Sequence, residues 1–363
     1  MAVQSMAATQ TQNLKDTARQ IEILEQAGAD IIRIAVDNEA DVVALESLRK
    51  KFPDPIFSVD LQENYKLAPK VAPLVNKIRY NPGHLFHLEK DKSIQKKVEF
   101  IIDAARAHGC AIRIGVNCGS IDPEYKDKYK QDLVEGMVRC AVDHCKILDD
   151  LDFTNYCVSL KDSDFDKVID ANRRFAKERP DIPLHLGVTE AGLPPEGIIK
   201  TRVAFEQLIS AGIGDTIRVS LTLPNEQKGQ EIVVGREILK DIKEGRFRSV
   251  PENFLDGLNI IACPSCSRQN FDVIGTMNEL ESRLEDVTTP LDVAVIGCIV
   301  NGPGEAKEAE IGLTGGTPNN LVYVNGQKDH KVQNPELVDH LEKLIREKVA
   351  LKEQQDKDLI ARS

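Results

Sequence analysis

Tryptophan is absent from the 363 residues, and aromatics make up only 5% of the chain. With 41% hydrophobic and 29% charged residues, the composition is still that of an ordinary soluble globular protein, and the length suits about two domains. No apolar run reaches the length of a membrane span, which excludes a transmembrane helix. No secretory apolar segment precedes the eight scattered cysteines, so the expected setting is cytoplasmic, with mostly reduced thiols. There is no excess of basic residues. The net charge of −11 argues against a general binder of nucleic acid or anionic membrane, though it leaves room for a local basic pocket. No G-x-G-x-x-G follows an early strand, which speaks against a dinucleotide-binding doubly wound sheet.

What is present is a strand–helix alternation up to about Arg246. AVQSM (Ala2–Met6) precedes a helix over Asn13–Gly28, with Ala18, Ile21, Leu24 and Ala27 on one face. The strands Ile31–Val36, Pro55–Leu61, Lys77–Gly83, Ala111–Asn117, Phe153–Lys161, Pro183–Glu190 and Thr216–Thr222 follow. Each precedes a helical segment: Ala40–Lys50, Tyr65–Val75, Ile94–His108, Lys126–Asp149, Phe165–Lys177, Glu196–Ala211 and Glu231–Lys243. Eight βα units indicate a TIM (β/α)8 barrel over residues 1–246. Active sites of such barrels lie at the C-terminal ends of the strands. Arg33, Asp60, Arg79, Asn81, Arg113, Asn117, Ser159, Lys161, His185, Glu190, Arg218 and Ser220 gather towards those ends. Arginines on four strands of one barrel are better explained by a bound polyanion than by scattered salt bridges, because guanidinium forks match phosphate oxygens. Lys161 is also compatible with Schiff-base chemistry.

Residues 247–257 are polar, contain Pro251 and read as a linker to a small α/β domain over 258–363. Two of its strand-like runs break into cysteine: IIACPSCSR (Ile260–Arg268) and VIGCIVNGPGEA (Val295–Ala306). Cys263 and Cys266 form a C-x-x-C pair and Cys298 supplies a third thiol. Thiolates at the ends of adjacent strands can converge on one metal. Zinc would want a fourth Cys or His, and the next His, His330, lies beyond a strand-like segment. An iron–sulfur cluster usually takes four Cys, and none follows Cys298. Glu305 does follow, in a glycine-rich loop (Asn301–Gly304). Cys110, Cys118, Cys140, Cys145 and Cys157 read as structural. The helix read over Met277–Leu284, the strand Leu321–Val324 with its Asn325–Gly326 turn, and a helix from Pro335 to about Lys352 complete the domain, the last residues reading as a frayed tail.

Taken together, CPSCSR and GCIVNGPGEA resemble the bacterial two-domain 4-hydroxy-3-methylbut-2-enyl diphosphate synthase (GcpE) family. The resemblance covers nearly the whole chain, through VQSM, AGADIIRIAV, KIRYNPG, IRIGVNCGS, VSLKDSD, HLGVTEAG, GDTIRVSLT, VGREILK and FDVIGT. It implies reductive ring opening and dehydroxylation of 2-C-methyl-D-erythritol 2,4-cyclodiphosphate in the non-mevalonate isoprenoid route. It implies a 4Fe–4S cluster on Cys263, Cys266, Cys298 and Glu305, whose unique iron binds the substrate oxygen once Glu305 moves aside. Asn301 would hydrogen-bond the bound intermediate, and Glu190 and His185 would be the acid–base groups. Arg33, Arg79, Arg113, Lys161 and Arg218 would hold the diphosphate, with Asn117 and Ser220 assisting. Flavodoxin or ferredoxin would supply electrons to a homodimer whose active sites are shared between subunits. Two departures stand out: relatives usually carry a further strand or hairpin before VQSM, and Gln62 stands where they commonly have His, so no titrating group is available there. Two rival readings from the residues are a metal-free Schiff-base barrel enzyme with a structural zinc, and an electron carrier, which would need four thiolates and no polyanion pocket.

Overall fold

The computed structural model describes residues 1–246, 257–263 and 265–360, with the side chains of Gln62 and residues 356–360 outside the description. All but Gly257 of the expected linker 247–257 also lies outside it. Two compact units are present. The first comprises Met1–Thr189, Gly197–Ser220 and Pro224–Arg248; the second comprises Glu190–Glu196, Leu221–Leu223 and Ser249–Ser363.

The first unit is the expected barrel. Its parallel strands are β1 (Ala2–Met6), β2 (Ile31–Ala35), β3 (Phe57–Gln62), β4 (Lys77–Tyr80), β5 (Ala111–Asn117), β6 (Tyr156–Lys161), β7 (His185–Leu186) and β8 (Thr216–Ile217). They pair in the order β6-β5-β4-β3-β2-β1-β8-β7, and a parallel bridge between Val158 and Leu184 links the two ends. Helices form where apolar spacing and caps coincide. Leu14–Gln26 starts at Asn13, whose side chain accepts from the Asp16 amide, and buries Ala18, Ile21 and Leu24 against the strands. Asn38 and Asp41 close a capping box on the helix Glu39–Lys51.

Three barrel segments differ from expectation. Tyr65–Val75 is a run of three short turns rather than one helix, because Pro69 and Pro73 remove amide donors. The expected helix Lys126–Asp149 is two helices, Pro123–Lys128 and Leu133–Asp150; Asp132 restarts the second by accepting from the Glu135 amide at 3.0 Å. Strands β7 and β8 are two residues each. Beyond them the backbones still run side by side, Arg218 N donating to Leu186 O at 3.0 Å, without a continuous ladder.

The second unit is built on a mixed sheet in the order β13-β12-β11-β10-β9, comprising β9 (Leu258–Ala262), β10 (Leu291–Ile296), β11 (Ile311–Thr314), β12 (Asn320–Val324) and β13 (Gln327–Val332). Strands β9, β10 and β11 are parallel, and β12 and β13 form a hairpin through Asn325 and Gly326, both at positive φ (49° and 75°) as a two-residue turn requires. Helices Val273–Arg283 and Leu337–Ile360 bury Met277, Leu280, Leu341 and Ile345 with Val293, Val295, Leu313 and Val322 of the sheet. Within this unit Ala191 bridges Ala262 in parallel, and Thr222 Oγ1 donates to Cys263 O at 3.2 Å. Strands β11 and β13 have no counterpart in the sequence reading. The expected frayed tail is instead helical through Ile360. Docking keeps it so: Lys352 Nζ reaches Pro290 O (2.9 Å) and Glu310 Oε1 (2.7 Å), and Thr289 Oγ1 donates to Glu353 (2.9 Å).

Candidate active site

The barrel interior can be read from side-chain direction and register. Ser5 Oγ donates to Glu231 Oε2 (2.6 Å) on the outer helix Gln230–Lys243, so its neighbours Gln4 and Met6 face inward. Pairing then carries inward positions round the barrel, with the stagger of about one residue per strand that an eight-stranded barrel of this kind requires. From Met6↔Arg33, Arg33↔Ser58, Ser58↔Lys77, Arg79↔Arg113, Arg113↔Cys157 and His185↔Thr216, one layer comprises Gln4, Ser58, Arg113 and His185. The layer above comprises Arg33, Arg79, Ser159 and Arg218, and the next Met6, Asp60, Gly115 and Gly187. Lys161 and Ser220 rise above those. Bulky branched side chains dominate such layers in most barrels of this fold; here the lower two of these layers are polar and cationic.

Arg79 is the anchored member. Its Nη1 donates to Asp60 Oδ1 at 2.9 Å and its Nη2 to Gly115 O at 3.0 Å. A Cβ on Gly115 would sit 2.2 Å from Arg79 Nε, and one on Gly187 would sit 2.5 Å from Lys161 Nζ, so both glycines make room for cations. Arg33 points its Nε and Nη2 at Met6 Sδ (3.1 and 2.8 Å), a weak acceptor. Arg113 is 1% exposed, yet its Nε and Nη1 have no hydrogen-bond partner, and neither does Arg218 Nε. Both ring nitrogens of His185, Gln4 Oε1 and Nε2, and Ser58 Oγ are equally unpartnered.

Burial is the main force on these cations. It holds Arg113 down to about 10 and Arg33 well below its ordinary value, with mutual repulsion adding to both. Lys161 is held well below its ordinary range by burial and then by Arg113, Arg218, Arg33 and Arg79. His185 is likewise pushed down, by burial first and Lys161 next, so its ring is neutral. Asp60 acts in the opposite sense on Arg33 and Arg113.

Sequence reasoning placed these residues near the strand ends. Arg113 instead lies deep, third of seven in β5, while Asn117 ends that strand, half-buried and opposite Lys161. Ser220 is buried. Gln4 and Ser58 were missed, and Asp60 was noted without a role; an isolated Gln or Ser in a strand reads as a surface residue, and only the register turns it inward. Cys118 is buried and its thiol hydrogen-bonds Asp162, in line with a structural role. Glu190 is buried at φ 46° in the segment Glu190–Glu196, which belongs to the second unit.

In that second unit, β9 and β10 run side by side and deliver Cys263 and Cys298 from adjacent strand ends. Gly297 N donates to Cys263 Sγ at 3.3 Å. Burial pushes Cys263 up to about 12, with Cys266 and Cys298 adding repulsion; it pushes Cys298 up to about 11, with Cys266 adding. The three sulfurs are thus electrostatic neighbours. Backbone N–H groups of Gly297 and Ser265 on Cys263, and of Val300 and Asn301 on Cys298, pull the other way. Donor groups already aimed at sulfur suit bound thiolates, so the residues fit a thiolate-held metal group. Among the described residues no three His, Cys, Asp or Glu side chains stand at mutual metal-ligating distances, and residue 264 of the C-x-x-C loop lies outside the description. The expected glycine-rich loop is a short helix, Gly302–Glu308, with Pro303 in its first turn, where a missing amide costs nothing. Glu305 is buried in it, and Asn301 precedes it with its side-chain oxygen unpartnered.

A family model described as the GcpE TIM-barrel domain matches residues 1–236, and one described as the GcpE protein C-terminal domain matches residues 259–347. A protein of Rhodopirellula baltica is 53% identical over 319 residues, covering 86% of this chain and 82% of that protein. Proteins of Hahella chejuensis (48% identical) and Azotobacter vinelandii (47%) match the whole chain over 92% and 93% of their own lengths. All three are named 4-hydroxy-3-methylbut-2-en-1-yl diphosphate synthase (flavodoxin). The chain belongs to the GcpE family of 4-hydroxy-3-methylbut-2-en-1-yl diphosphate synthases.

Proposed function

We propose that this chain carries out the reductive ring opening of 2-C-methyl-D-erythritol 2,4-cyclodiphosphate to (E)-4-hydroxy-3-methylbut-2-enyl diphosphate in the cytoplasm, with flavodoxin or ferredoxin as electron donor. No helix of the described residues is long and apolar enough to cross a membrane. The observation that carries the proposal is the set of buried guanidinium N–H groups on Arg79, Arg113 and Arg218 that lack a partner. Each buried unsatisfied polar group costs about 1–3 kcal/mol, more when charged, and a diphosphate would satisfy several at once.

The reaction consumes two electrons and a proton, breaks the ring and releases a hydroxyl as water. Ring opening leaves one more negative charge on the diphosphate than the cyclic substrate carried. Arg33, Arg79, Arg113, Lys161 and Arg218 are fixed where that charge grows, so they favour the transition state over the ground state. Asn117 and Ser220 add neutral hydrogen bonds. His185, its basicity lowered by burial and by Lys161, hydrogen-bonds the diphosphate, and Glu190 and His185 are the acid–base groups of this reading. Cys263, Cys266, Cys298 and the harder, removable carboxylate of Glu305 would hold a 4Fe–4S cluster, which supplies single electrons and Lewis acidity when bound. Asn301, unpartnered on its side-chain oxygen, is set to orient the reacting hydroxyl group.

The family resemblance supports a homodimer in which each active site joins the barrel of one chain to the cluster domain of the other. The test is anaerobic turnover of the cyclodiphosphate with reduced flavodoxin, followed by product mass. Conversion with loss of one oxygen is expected, and a reconstituted protein that leaves the substrate intact would refute the activity. The lowered basicity of Lys161 also suits a Schiff base, so borohydride trapping with the substrate is the companion test: no covalent adduct is expected.

A further inference from the structure

The layer beneath the arginines has its own chemistry. Gln4, Ser58, Arg113 and His185 come from alternate strands β1, β3, β5 and β7, and all four are at most 1% exposed. Every one carries unpartnered side-chain atoms: Gln4 Nε2 and Oε1, Ser58 Oγ, Arg113 Nε and Nη1, and His185 Nδ1 and Nε2. Such a layer is unstable when dry, because each unsatisfied group has been stripped of water without replacement. Its inventory is unbalanced. Amide, hydroxyl, guanidinium and one imidazole N–H outnumber the three neutral acceptors, the Gln4 carbonyl, the Ser58 hydroxyl oxygen and the second imidazole nitrogen. A donor-rich layer under a ring of cations complements an oxyanion better than a neutral group.

We infer that Gln4 and Ser58, with Arg113 and His185, form the floor of the anion site and bind the deeper phosphate of the substrate directly, while the layer of Arg33, Arg79 and Arg218 binds the outer one. The inference rests on the reading that the barrel takes a diphosphate, and it assigns roles to two residues outside the cation set. A neutral amide suits this position because it adds donors without adding a further like charge to a crowded site.

The test uses cluster-loaded enzyme. Gln4→Leu should raise KM for the cyclodiphosphate and Kd for inorganic pyrophosphate about tenfold, the loss of one hydrogen bond to a charged group, with kcat little changed. Gln4→Glu should raise both at least a hundredfold, since it sets a carboxylate against the phosphate. Ser58→Ala should raise them a few-fold and stands in if the Gln4 variants fold poorly. The ligand-free melting temperature of Gln4→Leu should hold or rise, because a buried unpartnered amide has been replaced by an apolar group; a purely structural Gln4 would lower it. Wild-type KM and Kd in Gln4→Leu and Ser58→Ala would mean that water alone fills the layer and would overturn the inference. Arg113→Ala separates the two levels. If it weakens pyrophosphate binding while Gln4→Leu and Ser58→Ala do not, only this inference fails. If it too binds like wild type, the diphosphate reading of the barrel fails with it.

Discussion

The barrel and the C-terminal unit solve opposite problems with similar strands. In the C-terminal unit, inward positions are Val293, Val295, Leu313 and Val322, packed on Met277, Leu280, Leu341 and Ile345. That core is apolar, and Cys263 packs against its edge where β9 ends. In the barrel, the apolar residues lie on the outside of the strands, under the helices: Val3, Ile32, Ile34, Val59 and Ile78 are fully or almost fully buried there. The interior holds Gln4, Ser58, Arg33, Arg79, Arg113, Lys161 and Arg218. Like charges on adjacent strands are destabilising, and Arg79 and Arg113 are directly paired. The barrel therefore keeps an interior that suits a ligand better than it suits itself. In the C-terminal unit the three thiols gather beyond the ends of β9 and β10; in the barrel the polar and cationic side chains spread over several layers.

The sharpest way to break this comparison is at the sulfurs. Anaerobically prepared wild-type protein should be brown with about four irons per chain, and Cys263→Ser, Cys266→Ser or Cys298→Ser should each abolish the cluster and turnover. The melting transition of the sheet should persist in those variants, because the apolar core is intact. A colourless protein with stoichiometric zinc would contradict the assignment.

Next in size is complementation between the regions. With substrate well below KM, an Arg113→Ala homodimer should be nearly inactive and a Cys298→Ser homodimer inactive. After subunit exchange, about half the dimers are mixed and one of their two sites is whole, so activity should approach roughly a quarter of wild type. Persistent inactivity, with exchange verified by mass-tagged subunits, would rule out sites shared between chains.

Within the barrel alone, Arg113→Ala or Arg218→Ala should weaken substrate binding by about 1.5–3 kcal/mol and leave the cluster spectrum unchanged. Affinity like wild type would make these arginines structural.

The smallest effect is on pH. Burial and the neighbouring arginines lower the basicity of Lys161, and a bound dianion restores it. Binding then takes up a proton wherever the pH lies between the free and bound pKa values. Affinity should be flat below the free value and fall above it, by at most about tenfold per pH unit. Lys161→Gln should bind more weakly and lose that slope, as titration calorimetry in two buffers would show.

Much of this arrangement is legible in the residues. AVQSM is a strand with the bounds its alternation suggests, and the helix Ile94–His108 ends where Gly109 adopts φ 68°. The cation set was visible because Arg at four strand ends is chemically unusual. Its depth was not, since Arg113 looks like a rim residue until register is known. The strand Ile311–Thr314 escaped because four residues with Gly312 inside and Gly315–Gly316 following carry too little periodicity. Asn301–Gly304 looked like a loop because two glycines outweigh propensity, yet Pro303 sits where a helix start tolerates it. Gln62 remains a chemical departure only, its side chain lying outside the described residues.

The division of labour is tested most directly by calorimetric titration of the cyclodiphosphate into two anaerobic variants. Cys298→Ser, lacking the cluster, should bind within a few-fold of wild type, because the barrel cations supply the affinity. Arg113→Ala, with its cluster intact, should bind at least tenfold more weakly. The reverse pattern, with binding lost in Cys298→Ser and kept in Arg113→Ala, would contradict the assignment of the substrate to the barrel interior.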